Sequence, residues 1–130
     1  MGSRFGFQNS QVQLNALPAN ATATAIFTAG PLVQPGDAAM VLLVWGIVFV
    51  PGTGCTSLIV AMIRGYGTIG LSVPGASWGA TVVAASKYVL IGSILDAPVG
   101  STDPYTLVVS QLGATAAGTI ADGGLTAFAL

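Results

Sequence analysis

Glycine and proline cut this chain at short, fairly even intervals. They stand at Pro18, Gly30-Pro31, Pro35-Gly36-Asp37, Pro51-Gly52, Gly65, Gly67, Pro74-Gly75, Gly79, Pro98, Gly100, Asp103-Pro104, Gly113, Gly118 and Asp122-Gly123-Gly124. Proline removes an amide donor and glycine loses the most backbone entropy on ordering, so long helices do not survive such spacing. The runs between are rich in Val, Ile, Thr and Ala, and glutamate does not occur. Short β-branched runs between turn signals are the pattern of a sandwich or barrel.

The strands read as follows. Residues 11–17 form an edge strand and 21–28 the next. The run 39–50 is apolar at every position but Gly46, which predicts cover on both faces; by length alone it also admits a buried helix, but Val, Ile, Trp and the Pro-Gly stop favour strand. In 57–64, Leu58, Val60, Met62 and Arg64 alternate with Ile59, Ala61 and Ile63. Residues 68–73 and 78–84 make weaker strands, 88–95 and 105–111 clear ones, and 114–120 and 125–130 close the chain. Val44, Phe49, Ile59, Leu107 and Val109 are expected in the core. The last strand, lacking charge on either face, is expected inside a sheet, with Phe128 at the barrel core or an inter-subunit axis.

A chain of 130 residues suits one domain. Charged residues make up only 5% of it and hydrophobic ones 53%, against about 25% charged in ordinary soluble domains. Such a surface is poorly protected against association, which implies burial against copies of itself or a larger assembly. The three basic residues, Arg4, Arg64 and Lys87, are scattered, so neither nucleic acid nor an anionic membrane is expected as a partner. The apolar run ending at Val50 is shorter than the ~20 residues of a spanning helix, and the first fifteen residues lack the apolar core of a secretory signal.

The residue inventory closes most routes to chemistry. Without histidine, Ser-His-Asp and Cys-His arrangements cannot be built, and the usual zinc and iron ligand sets are missing. The carboxylates Asp37, Asp96, Asp103 and Asp122 sit at or near glycine or proline, where aspartate serves turns. Asp96 and Asp103 bracket a loop whose oxygens could be compared with calcium sites, but no EF-hand or similar spacing is present and the two read as strand-end aspartates capping a corner. Cys55, the single cysteine, reads as a small buried hydrophobe. The string GYGTIG, 65–70, has no helix to follow and so holds no phosphate. No cofactor or metal is expected, and the chain reads as no enzyme.

The first eighteen residues differ from the rest. They are rich in Gln, Asn and Ser, with Phe5 and Phe7 spaced by two. Alternate aromatic anchors suit an extended arm that adds to a neighbour, giving an expected division into an arm, 1–18, and a β domain, 19–130.

Four stretches carry a family resemblance: PGTGCTSLIVAMIRG (51–65), YVLIGSILDAPVG (88–100), DPYTLVVSQLGATAAGTI (103–120) and LTAFAL (125–130). From about Thr53 to the end the chain resembles small TNF-like jelly-roll structural proteins of tailed phages, the capsid decoration (cement) proteins and fibre modules. Those chains often carry a second basic residue before the Arg-Gly pair, where this one has Ile63. The resemblance implies an all-β fold, a single jelly-roll sandwich of about eight strands with an extended N-terminal arm. It implies a homotrimer on the capsid surface of a virion, bound to the major capsid protein or other virion proteins. Phe5, Phe7, Trp78 and Phe128 are the expected subunit or capsid contacts. The alternatives are a glycan- or receptor-binding tail module, using Trp78, Tyr66 and Tyr88, and a small jelly-roll capsid subunit.

Overall fold

The computed structural model describes residues 7–10, 15–17, 23–29, 40–65, 71–97 and 104–129. Nine strands occur among them: β1 (Phe7–Ser10), β2 (Asn15–Leu17), β3 (Thr24–Ala29), β4 (Val41–Val50), β5 (Ser57–Arg64), β6 (Leu71–Thr81), β7 (Tyr88–Asp96), β8 (Tyr105–Leu112) and β9 (Gly118–Ala129). One antiparallel sheet runs β1-β9-β4-β7, with β2 beside the other end of β9; the second runs β3-β8-β5-β6. From β3 onward the chain repeatedly crosses between the two sheets. This is the all-β jelly-roll sandwich the sequence predicts.

The core lies between the sheets. β4 sends Val41, Leu43, Trp45, Ile47 and Phe49 inward, and β5 sends Leu58, Val60 and Met62. Phe27, Tyr105, Leu107, Val109, Ile120 and Leu125 fill the space between them. Phe49, Leu107 and Val109 are fully buried, as expected. Val44 and Ile59 are not: they are 40% and 36% exposed, on the outer faces of β4 and β5. Both strands are apolar on both faces, so alternation alone could not choose the inner set, and the choice falls to the neighbours that Trp45 and Leu58 meet. The expected double cover of β4 is likewise not seen among the described residues.

Two pairs of expected strands are single strands. β6 runs through Pro74-Gly75 because its pairing with β5 breaks there: Ala61 faces Ser77 and Ile63 faces Ser72, leaving Val73 to Ala76 opposite Met62. The turn signal is absorbed as an irregularity inside the strand. β9 runs through Asp122-Gly123-Gly124, with one residue bulged where Val48 faces Asp122 and Phe49 faces Ile120. Gly123 has φ 150°, and a Cβ there would stand 2.4 Å from the Gly46 carbonyl oxygen. The glycine permits close approach of two strands rather than a turn.

The expected N-terminal arm does not lie wholly outside the sandwich. Phe7 to Ser10 pair with Phe128 to Leu125, and Asn15 to Leu17 pair with Ile120 to Gly118. β9 has β4 on one side, and these two short segments pair with Gly118 to Ile120 and Leu125 to Phe128 along its other side.

Candidate functional site

Two features of the structure offer themselves to a partner, and both involve β7. The first is the outer face of the β1-β9-β4-β7 sheet. Strand alternation combined with register places Leu95, Leu42 and Phe128 in one row, Ser93, Val44 and Thr126 in the next, then Ile91, Gly46 and Gly124, then Val89, Val48 and Asp122. Ile91 is 81% exposed, Val89 71% and Leu95 52%. Across these rows Asp122 carries the one formal charge, and its carboxylate accepts the Gly123 amide at 2.8 Å. Scattered exposed apolar residues are ordinary, but a contiguous uncharged patch marks an interaction surface.

Two of the expected contact residues meet on this sheet. Phe7 holds the register position opposite Phe128. Phe128 is half-buried and lies on the outer face, since its neighbours Leu125 and Ala127 are the ones turned fully into the core. Of its two expected positions the core is therefore excluded. Phe5, Tyr66, Asp37 and Asp103 lie outside the described residues.

The second feature is the mouth of the sandwich between β6 and β7. A pocket of about 150 Å³ is lined by Trp45, Leu58, Val60, Trp78, Gly79, Ala80, Leu90 and Ile91. Trp78 is half-buried and stands edge-to-face on Trp45, with ring centroids 5.1 Å apart and planes at 64°. The Trp45 ring in turn covers Gly92, where a Cβ would lie 2.6 Å from Cε2 and Nε1. Trp45 Nε1 is buried without a hydrogen-bond partner. A glycan site needs placed polar groups beside its aromatic platform; the pocket's side chains are apolar apart from the two indoles. Tyr88 is committed elsewhere, its hydroxyl accepting the Val83 amide at 2.7 Å.

At one end of the sandwich a polar clasp joins the sheets. Arg64 at the end of β5 donates Nε and Nη2 to the two carboxylate oxygens of Asp96 at 2.6 and 2.8 Å, and Tyr105 donates its hydroxyl to Asp96 Oδ2 at 2.6 Å. Asp96 and Tyr105 are buried, at 3% and 0% exposure. Burial pushes the Asp96 carboxyl up, but the hydrogen bonds from Arg64 and Tyr105 and the guanidinium charge outweigh it and hold the pKa below the usual carboxylate range. Burial and the adjoining carboxylate push the Tyr105 phenol well above its ordinary value. The hydrogen bond to Asp96 raises Arg64 further, so the guanidinium stays charged. Sequence reading left Arg64 alone and gave Asp96 to a corner. The pair is separated by 32 residues and nothing local in the sequence couples it.

Cys55 is buried, with Sγ donating to the Ser57 carbonyl at 3.3 Å, and burial raises its pKa away from the reactive thiolate. Among the described residues no three of Cys, Asp and Glu gather as metal ligands. No helix among the described residues is long and apolar enough to cross a membrane.

No protein-family model matches the chain, and no curated protein does. Solved structures do match. The VP2 subviral particle of infectious bursal disease virus is similar at TM-score 0.56 and 12% identity, over 94% of this chain and 32% of that one. The T13 particle of the same virus gives TM-score 0.56 and 14% identity, over 96% of this chain and 30% of that one. The vertex protein P5 of PRD1 gives 0.53 and 11%, over 95% and 72%. The chain thus spans about a third of the infectious bursal disease virus chains it resembles. At these identities the likeness is one of fold: this chain has the jelly-roll sandwich found in those virus proteins.

Proposed function

We propose that this chain is a non-enzymatic structural domain of a virus particle, a decoration (cement) protein that trimerises on the capsid surface and stabilises the shell. The observation that carries the proposal is the largely apolar outer face holding Val89, Ile91, Leu95 and Val44, with Asp122 its one formal charge, on a jelly-roll sandwich. Burying apolar surface contributes about 25 cal/mol per Å² before association costs, and a shell repeats each contact many times. The fold likeness to virus capsid and vertex proteins supports a place in a virion. The partners are further copies and the major capsid protein. The contacts are Phe5 and Phe7 of the 1–18 arm, Phe128 beside Phe7, and Trp78 at the mouth.

A second reading, a small jelly-roll capsid subunit, draws on the same face and on the alignment with nearly all of this chain to one part of a larger capsid chain. The two readings part in one experiment, in which the purified chain is examined by light scattering and electron microscopy, alone and with preformed shells. A decoration protein gives assemblies in multiples of three 12.9 kDa chains that cosediment with shells. A shell subunit closes into particles unaided. A monomer that binds no shell refutes both.

A further inference from the structure

β9 is held along most of its length and is looser at one place. On one side β2 pairs with Gly118 to Ile120 and β1 with Leu125 to Phe128, and neither reaches Ala121 to Gly124. On the other side the pairing with β4 shifts at the same point, leaving Ala121 out where Val48 faces Asp122 and Phe49 faces Ile120. Asp122 is exposed at this gap. Its side chain turns back on its own main chain, where Oδ1 accepts the Gly123 amide at 2.8 Å. The residue after it has to be glycine, since at φ 150° a Cβ would stand 2.4 Å from the Gly46 carbonyl oxygen and 3.0 Å from Phe27 Cζ. Of the four aspartates only Asp122 precedes glycine; Asp37 and Asp96 precede alanine, and Asp103 precedes proline. Asp96 is also buried, with both carboxylate oxygens held by Arg64 and Tyr105.

We propose that Asp122-Gly123 is a site of spontaneous modification, at which the folded chain converts Asp122 to isoaspartate. The Gly123 nitrogen bonds to Asp122 Cγ, the hydroxyl of the protonated carboxyl leaves as water with the amide proton, and a five-membered succinimide closes. Water then adds at the Asp122 main-chain carbonyl and the bond from that carbon to the Gly123 nitrogen breaks. The side-chain carbonyl now carries the main chain, and the former main-chain carbonyl is the free carboxylate. The water lost is regained, so no oxidant, metal or partner enters. Three features of the fold favour ring closure. The carboxyl and the amide already lie within hydrogen-bonding distance, so little freedom remains to be lost in bringing them together. Glycine has no Cβ to crowd its nitrogen, and the close approach of β4 requires glycine there. The exposure of Asp122 admits the water that opens the ring. The product lengthens β9 by one main-chain carbon between Asp122 and Gly123. The strand on the two sides of that bond cannot then keep its ladder spacing with β4 together, so conversion weakens the middle of the sheet.

Incubation of the full chain in warm neutral buffer tests this, with one sample folded and another unfolded in urea. Peptide mapping with electron-transfer fragmentation distinguishes isoaspartate from aspartate at equal mass. In the folded sample isoaspartate should accumulate at position 122 while position 96 stays aspartate. Asp122→Asn closes the same ring by losing ammonia and should convert faster. Asp122→Glu would need a six-membered ring and should not convert. Isoaspartate at 122 that forms only in the unfolded sample would show that the sandwich blocks ring closure, and overturns the proposal. Equal conversion at Asp96 in the folded chain overturns the role of the gap in β9. The converted chain, separated by chromatography, should unfold at a lower urea concentration than the unconverted one, and equal midpoints overturn the weakening of the sheet.

Discussion

Arg64 and Asp96 meet across the two sheets, the guanidinium at the end of β5 gripping both oxygens of a carboxylate at the end of β7. Tyr105 on β8 closes the third side. Removing one partner of a buried pair leaves the other charge unpaired, at a cost of about 3–5 kcal/mol. Arg64→Ala should therefore lower unfolding free energy by about that amount in urea titrations at neutral pH, toward the low end because Arg64 remains partly solvated. A loss under about 1 kcal/mol would show the clasp to be no stronger than a surface pair.

The same clasp sets a pH dependence. Asp96 has a folded pKa below its unfolded value, so its contribution is complete above about pH 4, the ordinary aspartate range, and is lost as pH falls through the folded pKa. Tyr105 has a folded pKa above its unfolded value. Its contribution is complete below about pH 10 and is lost as pH rises further. Thermal melts should fall away at both extremes, and Arg64→Ala should flatten the acid limb. An acid limb of unchanged steepness in that variant would assign it to other carboxylates.

Core and outer positions should separate cleanly. Phe49→Ala and Leu107→Ala, both at full burial, should each cost about 2–5 kcal/mol. Val44→Ala and Ile59→Ala, at 40% and 36% exposure, should cost less than about 1.5 kcal/mol in the monomer. Chemical denaturation of the four variants measures this, and equal losses would contradict the inner faces of β4 and β5.

Gly92 underlies the Trp45 ring so closely that any Cβ intrudes on it at 2.6 Å. Gly92→Ala should displace Trp45 and its partner Trp78, costing about 1–3 kcal/mol as overpacking does, and shift the tryptophan fluorescence. An unchanged spectrum and stability would mean that the ring does not rest on this strand.

Removing residues 1–17 takes β1 and β2 from β9. At about 0.5–1.5 kcal/mol for each hydrogen bond lost, the truncated chain should be several kcal/mol less stable and should aggregate through the bared edge. A truncated chain that folds with full stability but no longer assembles would return these residues to the role of a free arm.

The fold class is legible in the chain of residues alone. Turn residues at Gly30 to Gly124 and β-branched runs between them exclude long helices and leave a sandwich, and the core at Phe49, Leu107 and Val109 was legible in it. Scarce charge, and the absence of histidine and glutamate, are the sequence features on which the proposed structural role draws. Long-range packing fixed what local pattern could not. Val44 and Trp45 are both apolar neighbours, and only the register with β7 and β9 turned one out and the other in. Pro74-Gly75 and Asp122-Gly123-Gly124 read locally as turns, and only the strands beside them showed that the chain runs straight through. The Arg64–Asp96 clasp and the exposed outer face of Val89, Ile91 and Leu95 depend on residues distant in sequence being brought to one place, since pairing and exposure belong to the assembled sheets rather than to any segment of the chain.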